Sequence, residues 1–113
     1  MSHRIPQLNE LIRQEISALF LKEFTFPPDC LVTISEVATS RDLSQAKVSV
    51  SVLPASEREA VLELLKKRAG FIQFSLGKRL IIRKIPKVIF ELDLSQEKAS
   101  HIDTLIDKIH EEG

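Results

Sequence analysis

The residues with the clearest chemical bias in this chain are cationic and sit close together. Lys66, Lys67, Arg68, Lys78, Arg79, Arg83, Lys84 and Lys87 fall within 22 positions that hold no Asp or Glu. Cations at that density suit a polyanion, because each neutralised phosphate releases a condensed counterion. A solvated, Lys-rich helix face is the plainer alternative. Ala69-Gly70 interrupts the run directly after its first three cations. Inside a helix glycine costs about 1 kcal/mol relative to alanine. The pattern therefore predicts two helices, or one sharply kinked helix, hinged at Ala69-Gly70. A helix starting near Phe71 would offer free N–H groups and a partial positive charge in its first turn. Gly70 has no side chain, so a sugar-phosphate backbone could come close there. Lys66, Lys67, Arg68, Ala69 and Gly70 form the head of this candidate RNA site, and Lys78, Arg79, Arg83 and Lys84 extend it. Phe71 and Phe74 read as core residues, since apolar neighbours flank both; stacking on bases is the alternative.

Catalytic constellations are absent by comparison. The histidines are His3, His101 and His110. His101 and His110 lie nearly half a revolution apart on a helix and point away from each other. Asp107 and His110 share a helix face, but a dinuclear metal site needs more such pairs. Cys30 is the single cysteine. It cannot form an internal disulfide and reads as a buried structural thiol. Gly77-Lys78 resembles the end of a phosphate loop, but Ile72 and Arg79 stand where that loop needs Gly and Ser or Thr. Glu91 and Asp93 share one strand face and read as solvated. No constellation of residues for catalysis or for a metal stands out.

These groups need a scaffold, and periodicity outlines one. Leu8, Leu11, Ile12, Ile16, Leu19 and Phe20 recur at helical spacing and predict an amphipathic helix over 5–23. Pro27-Pro28 ends it. Leu31 to Val37 reads as a strand, and Ser40-Arg41-Asp42 as a turn. Ala46, Val48, Val50 and Val52 alternate with polar residues, which predicts a strand with one buried face. It pairs antiparallel with the strand before it. Pro54 stops that strand, and Ser56 with Glu59 fits a capping box. Ala60, Val61, Leu64 and Leu65 make the next helix stripe. Phe71, Ile72, Leu76 and Leu80 resume a stripe with shifted phase after the hinge. Gly77 costs that second helix something, which close packing against a neighbour would explain. Lys87 to Asp93 predicts a third strand. Ser95 is a candidate N-cap for a last amphipathic helix through Ala99, Ile102, Leu105, Ile106 and Ile109. The order is α-β-β-α-(kink)-α-β-α, an α+β arrangement with a three-stranded sheet and helices packed on one face.

Length and charge bound the rest. A chain of 113 residues allows a single domain over 1–113 with a real core. No run of apolar residues is long enough for a membrane span, so no membrane partner is expected. The default is a soluble, reducing compartment, hence a cytoplasmic location or an organelle derived from one. Sixteen basic and sixteen acidic residues cancel to a net charge of zero, which argues at first against nucleic acid. The distribution reverses that argument. Residues 1–65 carry a net −3, residues 66–87 a net +8, and residues 88–113 a net −5. Screening over roughly 8 Å makes the local patch count for more than the total.

With these residues in place the chain resembles a known family. A basic helix-break-helix beside a small sheet is similar to a type II KH fold that lacks its usual Gly-x-x-Gly loop. The stretch from Val37 to Leu53 resembles the ribosome-binding factor A family. So do Ile12 to Ile16, Gly70 to Ile72 and Arg83 to Phe90. The likeness covers about residues 3–107. The family carries an Ala-x-Gly kink where this chain reads Arg68-Ala69-Gly70. It tends to have Asp-Pro-Arg after the first helix, where this chain has Phe26-Pro27-Pro28-Asp29. The resemblance implies a ribosome assembly factor that binds the immature small ribosomal subunit and its rRNA, and nothing in the residues demands more than a monomer. It implies a part in rRNA maturation, often cold-associated, with no catalysis, no cofactor and no small-molecule substrate. A protein-interaction module, docking an acidic partner on the basic segment, is the competing reading.

Overall fold

The computed structural model describes residues 4–82 and 84–95. The first helix, α1, runs Arg4–Lys22, with Leu8, Ile12, Ile16 and Phe20 buried at helical spacing. Leu11, expected in the same stripe, is instead exposed. Strands β1 (Leu31–Thr39) and β2 (Gln45–Leu53) follow and pair antiparallel. A short 3-10 turn at Ala55–Glu57 leads into helix α2 (Arg58–Lys67). Helix α3 (Ala69–Arg79) and strand β3 (Lys87–Leu92) complete the described order. Strand β3 adds to the other edge of β2 in parallel, giving the sheet order β1-β2-β3. A parallel neighbour needs a crossover, and α2 with α3 supplies it.

The sheet buries one face. Ala46, Val48 and Val50 of β2 are fully buried, and Val88 and Phe90 of β3 nearly so. Lys47, between them, is exposed. All three helices pack on that apolar side, which is the expected two-layer solution. Strand β1 needs a correction to its alternation. Val32 and Ile34 face inward, then Val37 does, with Ser35 and Glu36 both outside. A bulge between Ile34 and Glu36 absorbs the extra residue. Ser35 Oγ donates to the Ser49 carbonyl at 3.2 Å beside it.

Three further expectations change. The capping box does not form: Ser56 lies in the 3-10 turn, and α2 starts at Arg58 with no side-chain cap. Pro54 and the turn after it displace the helix start past the Ser56 position. The apolar stripe is also not shifted across the break. Val61, Leu65, Ile72 and Leu76 are all fully buried at spacings of four, seven and four, the phase of one continuous helix. Packing does not demand Gly77, because a Cβ there would meet Ile85 Cγ1 at an ordinary 3.9 Å. At the end of β3 the Ser95 amide donates to the Asp93 carboxylate at 2.9 Å. The remainder of the expected last helix lies outside the described residues, as do His3, Arg83, His101, Asp107 and His110.

Candidate nucleic-acid interface

The break between α2 and α3 is a single residue. Arg68 sits at φ −103° and ψ 12°, between two helices that otherwise keep their phase. The break thus falls one position before the expected Ala69-Gly70 hinge. The Arg68 amide donates back to the Leu64 carbonyl at 3.1 Å, and the Arg68 carbonyl accepts from Ile72 at 3.1 Å. The amides of Ala69, Gly70 and Phe71 precede that bond and form the first turn of α3.

The Arg68 side chain does not reach outward. Its guanidinium lies 4.5 Å from the Phe24 ring centre and 4.6 Å from the Phe71 ring centre. One of its nitrogens donates to the Glu23 carbonyl at 2.6 Å. This cation therefore clamps the end of α1 to the break, through cation–π contacts and a charge-assisted hydrogen bond. Phe24 belongs to an aromatic cluster with Phe20 and Phe26, at centroid distances of 5.3 to 5.7 Å. Phe26, at the head of Phe26-Pro27-Pro28-Asp29, thus joins the aromatic cluster that Arg68 meets through Phe24.

Gly70 is exposed, in a helical conformation, and an added Cβ would meet nothing within 4 Å. The fold itself makes no demand for glycine there. Ala69 and Gly70 line a groove of about 370 Å³ with Ser44, Gln73, Ile85, Lys87 and Val88. Ser44 comes from the β1–β2 turn and Lys87 from the start of β3. The groove therefore gathers three separate segments at the first turn of α3. Gln73 holds them together. Its amide nitrogen donates to the Pro86 carbonyl at 2.6 Å, and its amide oxygen accepts from the Val88 backbone at 3.0 Å. The Lys87 amide donates to the Ser44 carbonyl at 3.0 Å on the other side.

The β1–β2 turn is itself tightly bonded. The Asp42 carboxylate accepts from the Ser40 and Ser44 hydroxyls, both at 2.7 Å, and from the Ser44 amide at 3.1 Å. Those hydrogen bonds, first that from the Ser44 hydroxyl, hold its pKa down to about 2, and Lys84 nearby adds to the effect. Leu43, at φ 61°, turns the chain within this network. Lys84 therefore lies within electrostatic reach of the β1–β2 turn.

The predicted cations separate into groups. Lys66 and Lys67 end α2 beside the break, and both are exposed. Lys67 lies 3.6 Å from Glu63, an exposed pair of small energetic weight. Lys78 and Arg79 end α3, roughly 12 Å along the helix axis from Gly70 at 1.5 Å per residue. Arg83 lies outside the described residues. Reading the sequence missed Ser44, Gln73 and Lys87 as lining residues. Lys87 lay inside the basic run and was countable; Ser44 and Gln73 carry no signal without the fold. Phe74 also departs from its expected core role. It is 62% exposed, with the Lys78 ammonium 4.6 Å from its ring centre. Phe71 is half-buried against Arg68.

Other chemistry is thin among the described residues. They contain no metal-competent cluster of His, Cys, Asp and Glu. Cys30 is half-buried, and desolvation, aided by Glu57, pushes its thiol pKa up, away from reactivity. Asp93 is held down to about 2 by hydrogen bonds, first from Ser35, and so is not poised as a proton donor near neutrality. No described helix is long and apolar enough to cross a membrane.

A sheet of this order, with a broken helix pair as the crossover, is a KH-like α+β arrangement. The family model of ribosome-binding factor A matches residues 4–106. The chain belongs to the ribosome-binding factor A family. The ribosome-binding factor A of Desulfitobacterium hafniense is 39% identical over 111 residues, spanning 97% of this chain and 89% of its own. The crystal structure of ribosome-binding factor A from Thermus thermophilus superposes with a TM-score of 0.60 at 26% identity, covering 80% of this chain and 92% of that one. A homology model of the Thermus thermophilus ribosome-binding factor A, fitted into a cryo-EM map of its complex with the 30S subunit, gives a TM-score of 0.63 at 25% identity. That likeness covers 84% of this chain and 97% of the fitted one. Family membership makes this a ribosome-binding factor.

Proposed function

We propose that this protein binds the small ribosomal subunit during assembly, through ribosomal RNA seated at the α2–α3 break. It acts there as a single-domain monomer in the cytoplasm and assists maturation of that RNA, most visibly in the cold. It supplies binding and shape, not catalysis. The observation that carries the reading is Gly70, helical and open to solvent, at a groove within 22 positions that hold eight cations and no acid. The Thermus relative in its 30S complex supports the choice of partner.

Salt dependence tests the reading. With about five phosphate contacts, log K for subunit RNA falls against log salt with a slope of roughly −3.5 to −4.5. Replacing Lys66, Lys78 and Lys84 by Gln makes that slope shallower by about 0.7–0.9 for each phosphate that is no longer neutralised. A flat slope, or retention by an acidic protein that survives nuclease, assigns the basic segment to a protein partner instead.

A further inference from the structure

The outer face of α3 carries an aromatic ring that the fold does not use. Phe74 follows Gly70 by four positions, so the two share a helix face. Lys78 follows Phe74 by four and lies over its ring at 4.6 Å. Gly70 and Gly77 leave the helix bare on either side of that ring, and neither glycine is required by packing. Phe74 is 62% exposed. Leaving a large ring in water forgoes burial that would favour folding. The surrounding charge names the occupant. Lys78 lies on the ring, Arg79 beside it is exposed, and α3 itself holds no acid, so an acidic backbone is attracted to this end of the helix. A ring, bare helix on both sides and a long-stemmed cation on the ring suit an unpaired base with its phosphate.

We propose that Phe74 is a stacking platform for one unpaired base, with Gly70 and Gly77 admitting the sugar-phosphate and Lys78 moving from the ring to a phosphate. This deepens the RNA-binding reading and rests on it. It specifies that the segment bound along α3 is single-stranded. Duplex RNA keeps its bases stacked inward and cannot use the ring.

The chain contains neither Trp nor Tyr, which makes the test direct. A Phe74→Trp variant carries one indole as its only strong fluorophore. Titration with an unstructured oligouridylate of about 12 nucleotides should quench that emission, and a duplex of equal length should not. Phe74→Leu, with an unchanged circular dichroism melt, should bind the oligonucleotide roughly tenfold or more weakly. Its salt slope should stay that of the parent, because no cation is removed. Unquenched indole and full affinity in Phe74→Leu, with a steep slope retained, overturn the stacking platform while leaving RNA binding intact. Absence of any salt-dependent binding by the parent chain overturns the RNA reading itself. Quenching by polyglutamate rather than by RNA gives this face to an acidic protein and overturns the platform too.

Discussion

Arg68 and Asp42 show how far a charged residue can be from the task its charge suggests. Arg68 belongs to the basic run, yet its guanidinium lies against both Phe24 and Phe71 and is bonded to the Glu23 carbonyl. A planar, weakly hydrated cation tolerates that position better than lysine would. Its charge ties α1 to the break, so the cations left for a ligand are those around it. Asp42 is the reverse case, an acid beside the groove whose carboxylate is committed to the turn, where two serine hydroxyls and a backbone amide donate to it. Its folded pKa of about 2 lies below the unfolded value. A depressed carboxylate stabilises the fold above the unfolded pKa, and that contribution disappears as pH falls through the folded one. Asp42→Asn should therefore lower the melting temperature at pH 7. The gap to the parent should narrow progressively between about pH 4 and pH 2. Parallel melts across that window check it; a constant gap would mean that charge is irrelevant to the turn.

At the level of elements, glycine at the kink answers no need of folding. Nothing in α3 requires glycine at position 70, whose conformation is helical and whose Cβ direction is empty. Gly70→Ala should stabilise the protein by about 0.5–1 kcal/mol, through helix propensity and a less flexible unfolded chain. The same methyl group intrudes on any backbone seated in the groove, so affinity for subunit RNA should fall. A melt and a filter-binding curve on one preparation decide it. A variant that is more stable and binds equally well would show that the ligand does not approach Gly70. Much of this layer was legible from sequence. The alternation Ala46-Val48-Val50-Val52 carries its own buried face, and a helix stripe needs only spacing. The failures have physical causes. The Ser56–Glu59 box fits a local rule, but the turn after Pro54 already occupies Ser56. Gln73 clasps Pro86 and Val88, partners more than a dozen residues away that no local pattern anticipates. Phe74 resembles its buried neighbours in composition, and only the direction of α3 tells them apart.

For the whole molecule, cancellation of charge shapes the kinetics of binding. A net charge of zero leaves little field beyond a Debye length of about 10 Å in moderate salt. Steering from afar is weak, so association should stay near the neutral range of about 10⁵–10⁶ M⁻¹s⁻¹. On the proposed reading the cations act once contact is made, and those contacts break on dissociation. Between about 50 and 200 mM salt the dissociation rate should therefore change more than the association rate. Stopped-flow association and competitor-chase dissociation separate the two. An association rate that carries most of the salt effect would mean that the local patch, not the cancelled total, governs encounter.

The single-residue break has one more consequence, which concerns lengths rather than contacts. Because Val61, Leu65, Ile72 and Leu76 keep one helical phase across Arg68, the two helices behave as a single screw with one irregular thread. A residue inserted at the break would turn α3 by about 100° relative to α2. Ile72 and Leu76 would rotate out of the interior, and Gln73 would lose its hold on the start of β3. Substitutions at this joint are tolerable in principle, whereas insertions and deletions are not. The joint is a device for aiming α3, and its calibration is the number of residues it contains.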